Sequence, residues 1–213
     1  MHTYFDRFSI IFIILLITAD CNSQDTIRIG PVFGTGITYI HENDARDFRI
    51  HGHVGLLGNI NLNKKFHLQP SILLTNKGFW DPDQRLRLTY LDLTVTTKFF
   101  LTNTFFAGIG PQVGWLLSNK YIYLAYGTDY YDTFNIDDAL NKFDFGVNSC
   151  LCFEFKNRTG LEISLVYGLR DIFNKKSSKR YVSENYNYPV SISSEVKGKN
   201  TVVATTFYYL FGK

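Results

Sequence analysis

Glu154 and Glu162 stand at equal distances on either side of the short polar stretch Lys156 to Gly160. If that stretch turns one strand back on another, the two carboxylates face each other, and paired carboxylates can do acid and base chemistry. Arg28, Lys98 and Lys156 near the same end offer a plainer use, a neutralised polar plug, because like charges directly opposite one another are unfavourable. His51 and His53 share one parity of a single segment, and His67 holds the matching parity of the next, which raises a metal site. Hairpin arithmetic opposes it. With a turn over Asn61 to Lys65, His67 falls opposite Asn59 or Asn61, roughly 20 Å from His53 at a rise of about 3.3 Å per residue. His51 and His53 therefore read as hydrogen-bonded interior residues, and no metal is expected.

Cys150 and Cys152 lie two apart on one segment, where the Cα separation is near the upper limit for a disulfide, so packed free thiols are expected. The pairs Gly34 and Gly36, and Gly108 and Gly110, lack the following helix or lysine of a phosphate cradle and read as room for crowded side chains. Asn157-Arg158-Thr159 has the spacing of a glycosylation acceptor and reads as a chance match. No catalytic residue and no cofactor site emerge, and a non-enzymatic protein is expected.

The elements that must carry these residues follow from period two, the signature of half-buried strands. Ile27, Ile29, Phe33, Ile37 and Tyr39 alternate with Arg28, Gly30, Gly34, Gly36 and Thr38. Phe48 to Leu62, Phe66 to Gly78, Leu88 to Phe100 and Phe105 to Leu117 repeat the scheme, each with one apolar parity and one polar or small. Phe143 to Lys156 shows it most plainly, and Leu161 to Leu169 and Thr201 to Phe211 bring the strands to an even count. Asn61 to Lys65, Leu101 to Thr104 and Lys156 to Gly160 read as tight polar turns. His41 to Asp47, Phe79 to Arg87, Ser118 to Lys142 and Arg170 to Asn200 read as longer loops. Short turns at one rim and long loops at the other predict an all-β fold, an eight-stranded antiparallel up-and-down transmembrane β-barrel with periplasmic termini.

The length of 213 residues and 45% hydrophobic content suit one domain, and aromatic residues at 16% favour strands or lipid-facing surface. Ile10 to Ile17 is an apolar run too short to span a bilayer, preceded by Arg7 and followed by Asp20, Asn22, Ser23 and Gln24. It reads as the core of a signal peptide over residues 1–23, leaving a barrel domain over 24–213. Removing that segment takes Lys and Arg from 22 to 21 and Asp and Glu from 19 to 17, a net +4, too mild for nucleic-acid binding.

Soluble barrels also alternate, so the placement of the apolar face decides the environment. At the short-turn end that face bears Phe66, Phe99, Phe105, Phe155, Tyr209 and Phe211, and at the loop end Tyr39, Phe48, Trp115, Phe143 and Tyr167. Two aromatic belts around an aliphatic waist fit a bilayer and its two interfaces. The other face carries Arg28, Arg49, Asp92, Lys98, Asp144, Glu154 and Glu162, a set unsuited to a dry interior. A lumen network of Arg28, Lys98, Glu154, Glu162, His51 and His53 is expected, enclosed by a wall whose partner is outer-membrane lipid.

Ordered segments then carry a resemblance: FHLQPSILLTNKGF (Phe66 to Phe79), YLDLT (Tyr90 to Thr94), AGIGPQVGWLL (Ala107 to Leu117), FDFGV (Phe143 to Val147), LEISLVYGLRDI (Leu161 to Ile172) and the terminal TTFYYLFGK. Together they resemble the PorT-like outer-membrane β-barrel domain family across essentially the whole mature chain. The resemblance implies residence in the bacterial outer membrane, and for some members a tie to protein secretion or gliding machinery. The terminal strand also resembles the signal read by barrel-assembly machinery. The functional expectations are Tyr-rich loops, Tyr121 to Tyr131 and Tyr181 to Tyr188, that bind an external or envelope partner or shape the envelope. The alternatives are an accessory role in secretion or gliding, or a narrow solute channel.

Overall fold

A computed structural model describes residues 27–41, 48–63, 65–82, 84–124, 131–155, 158–174, 179–182, 189–192 and 198–211. The expected signal peptide and most of the loop over His41 to Asp47 lie outside them, as does Lys156.

Alternation of apolar and polar residues leaves each strand one face for lipid and one for the interior, and closure removes every free edge. Eight antiparallel strands close the barrel: β1 (Arg28–His41), β2 (Arg49–Asn61), β3 (Phe66–Trp80), β4 (Gln84–Phe100), β5 (Phe105–Leu124), β7 (Phe143–Glu154), β8 (Thr159–Gly168) and β11 (Lys199–Tyr209). Sequential neighbours pair around the ring, and β1 closes it on β11, with Phe33 opposite Phe207 and Ile37 opposite Val203. The short strand β6 (Tyr131–Phe134) pairs with the far end of β5, and a 3-10 turn follows at Asp137–Ala139. A separate two-stranded sheet joins β9 (Lys179–Val182) to β10 (Pro189–Ile192). No described helix is long and apolar enough to cross a membrane, so strands do the crossing.

The three tight turns each have a local cause. Asn63 Oδ1 accepts from the backbone N–H groups of Lys65 and Phe66, both at 2.9 Å, pinning the β2–β3 turn. Thr102 Oγ1 does the same for Thr104 and Phe105 at 3.3 and 3.0 Å between β4 and β5. Such side chains mimic a backbone turn. Between β7 and β8, Arg158 takes a left-handed φ of 70° and donates its N–H to Phe155 O at 3.2 Å.

The wall is apolar outside. Ile50, Phe33, Ile109, Ile163 and Leu151 are more than half exposed, whereas Lys98, Asp92 and His51 are buried. In water such a continuous apolar exterior would drive association; against acyl chains it is the stabilising surface.

Two expectations need correction. The segments Phe79 to Arg87 and Ser118 to Lys142 are not plain loops, because β3 and β4 stay paired out to Trp80 opposite Arg85, and β5 continues to Leu124. A bulge permits this: Thr89 faces Ser118 but Tyr90 faces Leu116, so Leu117 is the extra residue and parity reverses beyond it. With 17 residues in β4 and 20 in β5, these strands exceed the roughly 9–11 needed to cross a bilayer.

The inner parity is also not uniformly polar. Val32, Leu57, Tyr208 and Leu210 form one buried apolar cluster, and Phe106 packs with Cys150 and Cys152 in another. Apolar side chains filling a narrow lumen reduce the number of buried polar groups that need partners.

Candidate functional site in the barrel lumen

Inward-pointing side chains from almost every strand meet in the lumen and divide into three groups. Nearest the long strands, Lys77 of β3 bridges two carboxylates, Asp92 of β4 at 3.1 Å and Asp144 of β7 at 3.4 Å. Thr75 Oγ1 donates to Asp92 at 2.8 Å, Asn200 Nδ2 to Asp144 at 2.8 Å, and the Lys77 ammonium lies 4.7 Å from the centre of the Tyr90 ring. One ammonium thus ties three strands across a space that water barely enters. Lys77 shares its parity with Thr75, and Asp92 and Asp144 share theirs with other inward groups, so the alternation pointed to the triad without joining it.

The second group is the histidine pair. His51 Nε2 and His53 Nδ1 share a hydrogen bond of 3.0 Å, His53 Nε2 and Thr206 Oγ1 one of 2.9 Å, and His51 Nδ1 lies 2.8 Å from Asn76 O. Every ring nitrogen is engaged by protein. Gly34 keeps this group compact, since a Cβ there would run into the His53 ring and the Thr205 carbonyl. His67 pairs in register with Asn61 and packs on Phe100 at 4.4 Å, apart from the other two.

The third group lies towards the short turns and contains Lys98, Gln69, Glu162, Cys150 and Cys152. Lys98 Nζ stands 3.9 Å from Glu162 Oε2 and 4.0 Å from the centre of the Phe106 ring. Glu162 Oε2 accepts from Gln69 Nε2 at 3.2 Å and lies 3.1 Å from Cys152 Sγ.

Glu154 and Glu162 do not face one another. Cys152 stands opposite Glu162 and Glu154 opposite Gly160, a register fixed by Phe155 N–H donating to Thr159 O at 2.8 Å. The turn is therefore centred one residue earlier than equal spacing implied, which moves the facing partner by two. Glu154 instead lines a pocket at the short-turn rim with Arg28, His67 and Asn61, and no ion pair joins it to Arg28 among the described residues.

A central void of about 50 Å³ remains between these groups, bordered by His53, Gln69, Thr94, Gln112 and Asn148. That is space for about three or four waters. Over the loop end, Ile136, Ala139, Leu140, Ile172 and Phe173 pack onto Ile40, Phe79, Leu86, Leu88, Tyr90, Leu116 and Tyr121 as one buried apolar cluster. The sequence reading missed this cap because its residues lie in segments of loop composition.

On the outer wall Phe66 packs at a tilt against Phe99 at 5.3 Å, Trp115 stacks on Phe143 at 6.1 Å, and Tyr209 meets Phe211 edge-on at 5.0 Å. Phe48, Phe155 and Tyr167 are exposed there, and Phe105 and Tyr39 are half-buried on the same parity.

No curated protein matches the chain by sequence. Among solved structures it is similar to Ail, the attachment invasion locus protein of Yersinia pestis, at 12% identity over 88% of this chain and 100% of that one, TM-score 0.47. It is also similar to Neisserial surface protein A, at 7% identity over 87% and 97%, TM-score 0.47. OprG from Pseudomonas aeruginosa is a third, at 10% identity over 88% and 95%, TM-score 0.34. The outer membrane protein beta-barrel domain family matches residues 22–174, most of the chain, and with the closed wall and its apolar exterior this places the protein in the bacterial outer membrane, as a member of that family.

Proposed function

We propose that this barrel is a non-enzymatic, non-conducting outer-membrane protein that works through its long-stranded rim, as a binding surface or a structural element of the envelope. The observation that carries the reading is double closure among the described residues: packed ionic groups narrow the central void to about 50 Å³, and a buried apolar cluster lies over the loop end. A pore would need a continuous wet path, which an eight-stranded wall filled by side chains does not offer. Catalysis would need a reactive group at an accessible cleft, yet the buried histidines spend their ring nitrogens on protein partners.

In this reading residues 1–23 are a cleaved export signal, the short turns and both termini face the periplasm, and the long hairpins project outward. Phe207, Tyr209 and Phe211 on the closing strand supply the apolar face that barrel-assembly machinery would read. The partner is an envelope or external macromolecule met by the Tyr-rich segments Tyr121 to Tyr131 and Tyr181 to Tyr188, and PorT-like membership would make a secretion component one such partner. Excision of 125–130 together with 175–197, which spares the cap, tests this. A surface role predicts normal insertion with loss of an in-cell cross-link or envelope phenotype. An unchanged cross-link pattern and phenotype would count against it.

A further inference from the structure

We propose that Cys150, Cys152 and Glu162 form a buried site for one thiophilic divalent cation, with Zn²⁺ the physiological occupant. Cys150 and Cys152 are successive inward positions of β7, and the β7–β8 register sets Glu162 directly opposite Cys152. The two sulfurs lie 3.6 Å apart, Cys152 Sγ lies 3.1 Å from Glu162 Oε2, and all three ligand atoms fall within 4.8 Å of one another with every residue buried. With Zn–S bonds of about 2.3 Å, a tetrahedral centre holds two sulfurs roughly 3.7 Å apart and a sulfur and an oxygen roughly 3.5 Å apart. Two of the three separations are thus within a few tenths of an ångström of those values, and the third, between Cys150 Sγ and the Glu162 carboxylate, closes from at most 4.8 Å as the ion is taken up.

Two further features favour a cation over plain thiols. Cys152 has both Cys150 Sγ and Glu162 Oε2 within reach but only one sulfur-bound hydrogen to donate. Lys98, fully buried, brings its ammonium to 3.9 Å from Glu162 Oε2 and has no hydrogen-bond partner for Nζ among the described residues. Two thiolates and a carboxylate carry three negative charges, and a divalent cation plus Lys98 carry three positive ones. The occupied cluster is thus neutral, which suits a lumen poor in water. On binding, each S–H bond breaks, the sulfur pair goes to the metal, and two protons leave to solvent. Gln69, donating to Glu162 at 3.2 Å, orients the carboxylate, and the fourth position falls to a water or to Gln69 Oε1, itself without a hydrogen-bond partner. In an oxidising compartment such a site also shields the thiols from oxidation.

The test uses the full-length product purified from membranes in detergent under anaerobic conditions. The expected result is about one equivalent of zinc by elemental mass spectrometry. Exchange for Co²⁺ should give sulfur-to-cobalt charge-transfer absorption and tetrahedral ligand-field bands. Both signals should vanish in Cys150→Ser with Cys152→Ser, persist in His53→Ala, and weaken about 10–100-fold in affinity in Gln69→Ala. Heat-modifiable gel migration checks that each variant folds, and the Co²⁺ spectrum of the unaltered protein decides the matter if one does not. A reduced protein without the charge-transfer band, an intact mass two hydrogens short, or zinc retained by the double serine variant would overturn the proposal.

Discussion

Lys77 holds two buried carboxylates, and its removal leaves both uncompensated. Lys77→Met should destabilise the barrel by about 3–5 kcal/mol, the usual consequence of breaking a buried ion pair from one side, as read by urea unfolding in lipid vesicles. An unchanged midpoint would show that the triad is wet. Gly108 lies where an added Cβ would meet Cys150 Sγ and Thr96 Cγ2, both at 2.7 Å, so Gly108→Ala should also lower the midpoint, whereas Gly52→Ala, with open space beside it, should not. At this scale the sequence was readable only within a strand. The inward parity of His51 and His53 was visible in their spacing, but the facing of Glu162 and Cys152 depends on how Arg158 closes a turn, which no alternation reveals. The thiol cluster was missed for that reason, and the Lys77 triad because it joins β3 and β4 to β7, far along the chain.

The strands themselves were legible because lipid on one side and packed side chains on the other force strict alternation along each of them. What escaped was their length. Leu117 interrupts the alternation with one extra residue, so the run beyond it looks like loop although β5 continues to Leu124. Deleting Leu117 should give a regular ladder in which Ser118 still faces Thr89 and Tyr121 still enters the cap, whereas deleting Lys120, beyond the bulge, should turn Tyr121 out of the cap and make the loop end sensitive to added protease while the membrane wall stays protected. A loop end opened by loss of Leu117, or one indifferent to loss of Lys120, would contradict the bulge. Ile163, in the middle of β8 and more than half exposed, tests the wall. Ile163→Arg should cost about 2–4 kcal/mol in vesicle refolding, as a charge near the bilayer midplane does. A variant as stable as the parent would place that residue away from acyl chains.

For the whole molecule, closure inside and grease outside are one physical arrangement. In the proposed reading the narrow ring of eight strands is filled by ionic, polar and apolar side chains, and the apolar cap closes it at the loop end. Planar-bilayer recordings of the purified protein should therefore stay silent, and discrete conductance steps would contradict the sealed lumen. The most direct test of the account places a single tryptophan at Leu151, on the outer wall, in a chain whose Trp80 and Trp115 are changed to Phe. In vesicles its fluorescence should be strongly quenched by lipids brominated deep in the acyl chain and hardly at all by aqueous iodide. A chain that stays dissolved without amphiphile, or a tryptophan that answers to iodide and ignores the bromine, would contradict it.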